Sequence, residues 1–364
     1  MTMTRMPRLA RTRSISWHTL LLTGVLCVAG VAVSTGLAHA LTGAPVNGQM
    51  GLQEGVTPVM EWIRWFHNSW VNPIIIVITL FVMGLMGYVM WRFSEKKNPV
   101  PSNVTHHTWL EVAWTVLPIF ILVMIAIPSF QLLFYEYSFP KPDLTIKATG
   151  NAWFWDYQYP DNGNIKVTSN MISDEELLKA QLGNEDYGKK YGALDGTQLT
   201  KALYQDSKPL WQSPPAKYAG GRLFRQLSVD NEIAVPVNKV VHVLITSNDV
   251  IHSWTVPSFG SKQQAVPGRV TATWFQATKE GVYYGQCSVL CGRNHSSMPI
   301  AVRVVSDSVF ADWVAAVKAR DLKKARGVLL AATEGIEPRT FAELSNGFQA
   351  DGLTAGLLTA DAAK

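Results

Sequence analysis

Two uncharged apolar runs constrain this chain most. Asn72 to Trp91 holds about twenty residues with no charge, running from Pro73-Ile74-Ile75-Ile76 to Met90, and Val112 to Tyr135 is the second such run. Each is long enough to cross the ~30 Å hydrocarbon core of a bilayer as a helix. In lipid every backbone polar group must be satisfied internally, and an isolated segment does this by coiling. Trp70 and Trp91 flank the first run, at the depth where indole rings are favoured. Pro118 and Pro128 lie inside the second, where membrane helices tolerate them. The connecting loop carries Arg92, Lys96 and Lys97, whereas the flank before the first run has only Arg64 close by. The positive-inside rule therefore predicts a cytoplasmic loop, with both mature ends on the periplasmic side. The aromatic segment Glu61-Trp62-Ile63-Arg64-Trp65-Phe66 is expected at the membrane interface.

Composition agrees with partial burial in a bilayer: 48% of residues are hydrophobic and 16% are charged. The net charge of +5 is unevenly placed. Arg5, Arg8, Arg11 and Arg13 sit in the first 40 residues without an acid, and the rest of the chain holds 28 basic and 27 acidic residues. This balance excludes a nucleic-acid footprint. Residues 1–40 read as a signal peptide, with a basic start, an apolar run from Leu20 to Leu37 that includes Cys27, and Ala38-His39-Ala40 at the cleavage site. An uncleaved membrane anchor is the alternative.

The composition changes near residue 141. Asp143 to Ala148, Leu223 to Val229, Val235-Pro236, Val240 to Thr246, Ala272 to Gln276, Val282 to Gln286 and Ala301 to Val305 carry strand signals separated by turns. Many short strands suggest a sandwich or barrel. Residues 171–215 read as a polar surface insertion, opening with a helix capped by Ser173. The expected division is a signal peptide over 1–40 and a periplasmic segment with the hairpin over 41–140, the spans near 72–91 and 112–135. A β domain over 141–320 and a tail over 321–364 follow, with a closing helix over Phe310 to Lys324.

One short loop carries chemistry. Cys287, Cys291, His295 and Met298 follow the spacing C-x3-C-x3-H-x2-M. Thiolates select copper(I), zinc or iron–sulfur clusters, and imidazole suits copper or zinc. The thioether argues against zinc, whose structural sites close with Cys and His alone. A Cys/His group with a weak Met ligand is the donor type of electron-transfer copper. Single-copper sites of that type use one Cys, and two thiolates can bridge two copper ions. Each copper then needs its own nitrogen; His295 is one, and His252, expected in the loop after the strand Val240 to Thr246, is the other. A disulfide between Cys287 and Cys291 is the alternative, and it would leave His295 and Met298 idle.

This loop, Asp249-Val250-Ile251-His252-Ser253-Trp254 and Ala265-Val266-Pro267-Gly268-Arg269 resemble subunit II of haem–copper cytochrome c oxidases, over roughly Glu61 to Lys318. The resemblance implies membrane α plus all-β architecture: an N-terminal two-helix transmembrane hairpin followed by a cupredoxin-like Greek-key β-barrel domain. It implies a binuclear copper A centre of two copper ions, held by His252, Cys287, Cys291, His295, Met298 and the backbone carbonyl of Val289. Trp153, in the aromatic cluster Trp153 to Tyr159, would admit electrons from cytochrome c; core packing is its other reading. Glu111 would lie at the entrance of a proton channel in subunit I, and it equally suits the start of a helix.

The family usually has Glu where Val289 stands and often Asp where Gln264 stands, so the magnesium ion shared with subunit I is in doubt. Asn151, Ala152 and Gln158 also depart from the family pattern. The implied role is electron entry to an oxidase that reduces oxygen to water and translocates protons. The implied partners are subunit I with its haem and copper, subunit III, cytochrome c and the lipid bilayer, with no nucleic acid. The implied location is the bacterial inner (plasma) membrane, multi-pass, with the C-terminal copper domain in the periplasm. A quinol oxidase subunit II, which typically lacks the copper ligands, and the copper A subunit of another reductase are the alternatives.

Overall fold

The structure, a computed structural model, describes residues 43–45, 49–100, 102–208, 216–218 and 221–332. The expected signal peptide with Cys27, and residues 333–364, lie outside these.

The first membrane helix begins earlier than the apolar run. Helix α1 (Pro58–Phe66) passes through one π-helical turn, His67–Val71, into α2 (Asn72–Arg92). The continuous 35-residue rod spans ~52 Å at 1.5 Å per residue, well beyond the hydrocarbon core. The aromatic segment Glu61 to Phe66 is continuous with this rod. Thr57 caps it: its hydroxyl accepts the Met60 N–H at 3.1 Å and donates to the Phe259 carbonyl at 2.8 Å. Val59 and Met60 are buried against the β domain. Gly260 makes room for Met60 and Ile63, since a Cβ there would lie 2.9 Å from Ile63 Cδ1 and 3.3 Å from Met60 Cβ.

Helix α3 (Thr108–Glu136) returns through the membrane. Neither span buries its most apolar stretch within this chain, which leaves both faces to lipid or to other subunits. At its start, Glu111 accepts the backbone N–H of His107 at 3.1 Å, and His107 Nδ1 accepts the N–H of Leu110 at 3.2 Å. At its end, the Trp274 indole donates to the Glu136 carbonyl at 2.8 Å. Tyr135 packs between Trp62 and Trp274, with ring centres 5.4 and 5.7 Å away. Hairpin and β domain are thus joined by an aromatic stack as well as by the chain.

The β domain is a sandwich. Strands β1 (Leu144–Asn151), β2 (Phe154–Tyr159) and β3 (Ile165–Ser169) alternate buried and open residues, as a sheet with one core face requires. After the insertion come β4 (Ala216–Tyr218), β5 (Gly221–Leu223), β6 (Ile233–Pro236), β7 (Val240–Ser247), β8 (His252–Val256), β9 (Ser261–Ala265), β10 (Thr271–Gln276), β11 (Gly281–Gln286) and β12 (Pro299–Val305). One sheet runs β10-β7-β1-β2-β3 and the other β11-β12-β6, with β8 and β9 forming a hairpin between them. β1 pairs parallel with β7, and β12 parallel with β6, so the chain crosses between layers rather than meandering. Trp155, Tyr157, Trp254, Phe275, Tyr283 and Trp313 fill the core.

Three differences from the sequence expectations have local causes. Leu223 to Val229 is not a strand past Leu223, because Phe224 to Ser228 folds into a turn with Gln226 at φ +62° and Ser228 Oγ accepting the Phe224 N–H. His252 is not in a loop; it opens β8. The residues after 320 begin as a packed helix: α7 (Asp307–Lys318) is followed by α8 (Leu322–Ala332), whose Ala325 and Leu329 enter the core. Here α7 and α8 follow the insertion helices α4 (Asp174–Leu182), α5 (Asn184–Tyr191) and α6 (Gly196–Ser207). The first of these is closed by a Ser173–Glu176 capping box.

Candidate metal centre

The loop after β11 and the start of β8 meet at one end of the sandwich. The β11–β12 pairing ends at Gln286↔Pro299, so the chain from Cys287 to Met298 is a closed excursion between paired strands. The Cys287 N–H reaches the Met298 carbonyl at 3.3 Å and seals its neck. Cys287 and Cys291 are free thiols with sulfurs 3.8 Å apart, so no disulfide joins them. Cys291 Sγ lies 3.4 Å from His295 Nδ1 and 3.5 Å from Met298 Sδ. Cys287 Sγ lies 3.3 Å from the Val289 carbonyl oxygen. One nitrogen of His252 falls within 4.8 Å of both sulfurs. All six sequence-derived metal donors are therefore gathered in one place.

Both thiols and His252 are buried, and Met298 is completely so. His252 Nε2 and Asp249 Oδ1 are 2.7 Å apart, which holds the proton on Nε2. That leaves Nδ1 as a lone pair, buried and without a hydrogen-bond partner. An orphaned, desolvated imidazole nitrogen beside two thiols is costly unless something electrophilic sits between them. Two sulfurs 3.8 Å apart can share one metal ion, since metal–sulfur bonds of ~2.3 Å reach across that gap. The donor set of soft sulfurs and imidazoles fits copper.

The thiols differ electrostatically. Burial alone would push the Cys287 thiol up, but the His252 imidazole, when protonated in the metal-free protein, and the N–H groups of Ser253 and Val289 outweigh it and pull it well below the usual range. Burial, and then the negative charge of Cys287, push the Cys291 thiol up. The pair gives up one proton readily and holds the second until a cation compensates.

Asp249 was not singled out in the sequence, and it is the hub of the support. Its carboxylate accepts from Val250 N at 2.6 Å and from Ala152 N at 2.6 Å, besides facing His252. Burial opposes its charge, but His252 and these N–H groups prevail and hold its carboxyl below the ordinary range. Its signal was the spacing Asp-x-x-His, because ligating histidines commonly give their other N–H to a carboxylate. Gly150 is a second omission: a Cβ there would meet His252 Cδ2 at 2.8 Å.

Trp153 is half-buried beside the loop. Its indole N–H donates to the Cys291 carbonyl at 3.1 Å, while Gly292, at φ +113°, lies against the ring. Trp155, Tyr157 and Tyr159 of the same cluster are core residues, and Trp153 packs against that core while remaining partly exposed. Glu111 is on the membrane hairpin and takes no part in the centre.

A two-helix membrane hairpin carrying a sandwich whose end gathers two thiols and an imidazole defines a membrane-tethered, cupredoxin-like protein with a centre able to hold a metal. The family model for the cytochrome c oxidase subunit II transmembrane domain matches residues 45–132, and that for its periplasmic domain matches 144–188 and 213–305. The chain is 40% identical over 303 residues to cytochrome c oxidase subunit 2 of Cereibacter sphaeroides, covering 82% of this chain and 91% of that one. It is 42% identical over 278 residues to a probable cytochrome c oxidase subunit 2 of Rickettsia felis, covering 76% and 75%. Among solved structures, the periplasmic domain of subunit II of the cytochrome oxidase of Bradyrhizobium japonicum shares 42% identity, over 50% of this chain and 97% of that one, with a TM-score of 0.36. The chain belongs to the cytochrome c oxidase subunit II family.

Proposed function

We propose that this chain is the electron-entry subunit of a membrane-bound cytochrome c oxidase, with a binuclear copper A centre at the end of its sandwich. The observation that carries this reading is the buried, unpartnered Nδ1 of His252, facing two free thiols 3.8 Å apart. Cys287, Cys291, His252, His295, Met298 and the Val289 carbonyl would together hold the two copper ions. When bound, the pair of coppers supplies a one-electron carrier.

The residues of the chain do the rest. Asp249 fixes the tautomer and orientation of His252. Met298 and the core behind it exclude water from the sulfurs. Trp153 offers an aromatic contact from the surface to the Cys291 carbonyl, and so a route for electrons from cytochrome c. From here electrons would pass to haem in subunit I, for reduction of oxygen coupled to proton translocation. Subunits I and III would cover the lipid-free faces of the hairpin, and Glu111 would stand near a proton entrance of subunit I.

In this reading residues 1–40 are a signal peptide, and 41–140 hold the hairpin of a bacterial inner-membrane protein. Residues 141–320 form the periplasmic copper domain with the insertion 171–215, and 321–364 follow it. Copper content of the purified oxidase tests the reading. Two coppers assigned to this subunit are expected, lost together in Cys287→Ser. A full copper complement in that variant would sink the reading.

A further inference from the structure

Strand β8 presents two kinds of side chain. His252 and Trp254 face the site and the core, and Ser253 and Thr255 lie on the opposite side of the alternating strand. Across from them the chain leaves β11 and enters the metal loop. The two backbones are almost in contact there: a Cβ on Gly285 would lie 1.9 Å from the Thr255 carbonyl oxygen. Three residues past that contact, Ser288 meets both hydroxyls of β8. Ser288 Oγ donates to Ser253 Oγ at 3.0 Å, Ser253 and Thr255 are 3.1 Å apart, and Thr255 and Ser288 are 2.9 Å apart.

Three hydroxyls at these separations close a ring. If each donates once in the same sense, Ser288 to Ser253 to Thr255 to Ser288, every member both gives and accepts one bond. Bonds in such a chain polarise and strengthen one another. The ring joins the strand that begins with His252 to the residue next to Cys287. It also fixes the Ser253 backbone, one residue from His252. Contacts that orient the ligands of a metal ion also tune the metal they hold.

We propose that Ser253, Thr255 and Ser288 are positioning residues: their closed hydroxyl ring locks β8 to the metal loop, fixes His252 relative to Cys287, and thereby sets the reduction potential of the copper centre. This rests on the copper A reading.

The test uses the purified oxidase complex carrying Ser288→Ala, Ser253→Ala or Thr255→Val, with Ser288→Thr and Thr255→Ser as hydroxyl-keeping controls. Copper content and the two-nucleus EPR pattern are read first, and the midpoint potential of the centre by spectroelectrochemistry second. The expected result is a shifted potential in the three variants that lack a hydroxyl, with copper retained, and a potential near that of the unaltered complex in the two controls. Should Ser288→Ala fail to load copper, Thr255→Val decides, being nearly isosteric and farther from the ligands. An unchanged potential in a copper-loaded Thr255→Val would overturn the proposal. Absence of a two-copper signal from the unaltered complex would instead overturn the copper A reading.

Discussion

The indole of Trp153 donates its N–H to the carbonyl of Cys291 at 3.1 Å, so a surface aromatic is bonded directly to the backbone of a thiol that lines the metal centre. Gly292 lets the ring lie flush on the loop, and the neighbouring Ala152 N–H is held by Asp249. If this contact carries electrons inward, Trp153→Gln slows oxidation of cytochrome c by more than about tenfold, a barrier increase of ~1.4 kcal/mol, with copper content unchanged. Stopped-flow oxidation of the donor measures this. Parallel loss of copper and activity would assign Trp153 to packing instead.

Asp249→Asn tests the support of His252. The amide keeps the size but removes the charge that faces Nε2 at 2.7 Å. Loss of such a partner typically lowers metal affinity by ~10–100-fold. Competition with a copper chelator, on the full complex, should show that drop, and an affinity equal to that of the unaltered protein would show that Asp249 plays no part.

Copper uptake should depend on pH in a defined sense. Both sulfurs must be thiolates to bridge metal ions, and the Cys291 thiol is held up by burial and by the Cys287 charge. Uptake therefore displaces a proton from Cys291, and apparent affinity rises as pH rises toward that raised value. The folded metal-free Cys287 thiol is shifted the other way, so its contribution to stability is present above the ordinary thiol range and is lost as pH falls through its lowered value. Proton release on copper addition, followed with an indicator dye, gives the measurement. Uptake without proton release near neutral pH would contradict this.

Much of the site was legible because metal chemistry restricts which residues can serve. Two Cys, a His and a Met within twelve residues leave few alternatives, and the membrane runs are set by length and absence of charge alone. What escaped was second-rank geometry. The extension of the first helix back to Pro58 depends on Met60 and Ile63 finding the space above Gly260, which no local pattern encodes. Leu223 to Val229 has strand-like composition, but Ser228 and the left-handed Gln226 turn it. Helix α8 holds through Ala325 and Leu329 docking on the core, whereas the sequence suggested one closing helix ending at Lys324 and a tail beyond it. Asp249 was passed over because a lone carboxylate in a loop is usually solvated; its role is visible only once His252 lies beside it.

The departures at Val289 and Gln264 bear on a divalent cation at the interface with subunit I. Val289 is apolar and half-buried, and Gln264 lies opposite Ser253 on the neighbouring strand. Hard cations such as magnesium take oxygen ligands, and neither side chain brings a carboxylate. Oxidase from manganese-grown cells should show a weak manganese EPR signal or none, strengthened in Val289→Glu with Gln264→Asp. A tightly held ion at one per oxidase in the unaltered protein would refute this.

The central claim is that Cys287 and Cys291 bridge two coppers that share one electron. EPR of the oxidized, purified complex tests it most directly. Two equivalent nuclei should give a hyperfine pattern of seven lines, which collapses in Cys287→Ser and in Cys291→Ser together with oxidation of cytochrome c. A four-line pattern from one copper in the unaltered protein, or a seven-line pattern surviving either substitution, would contradict the account.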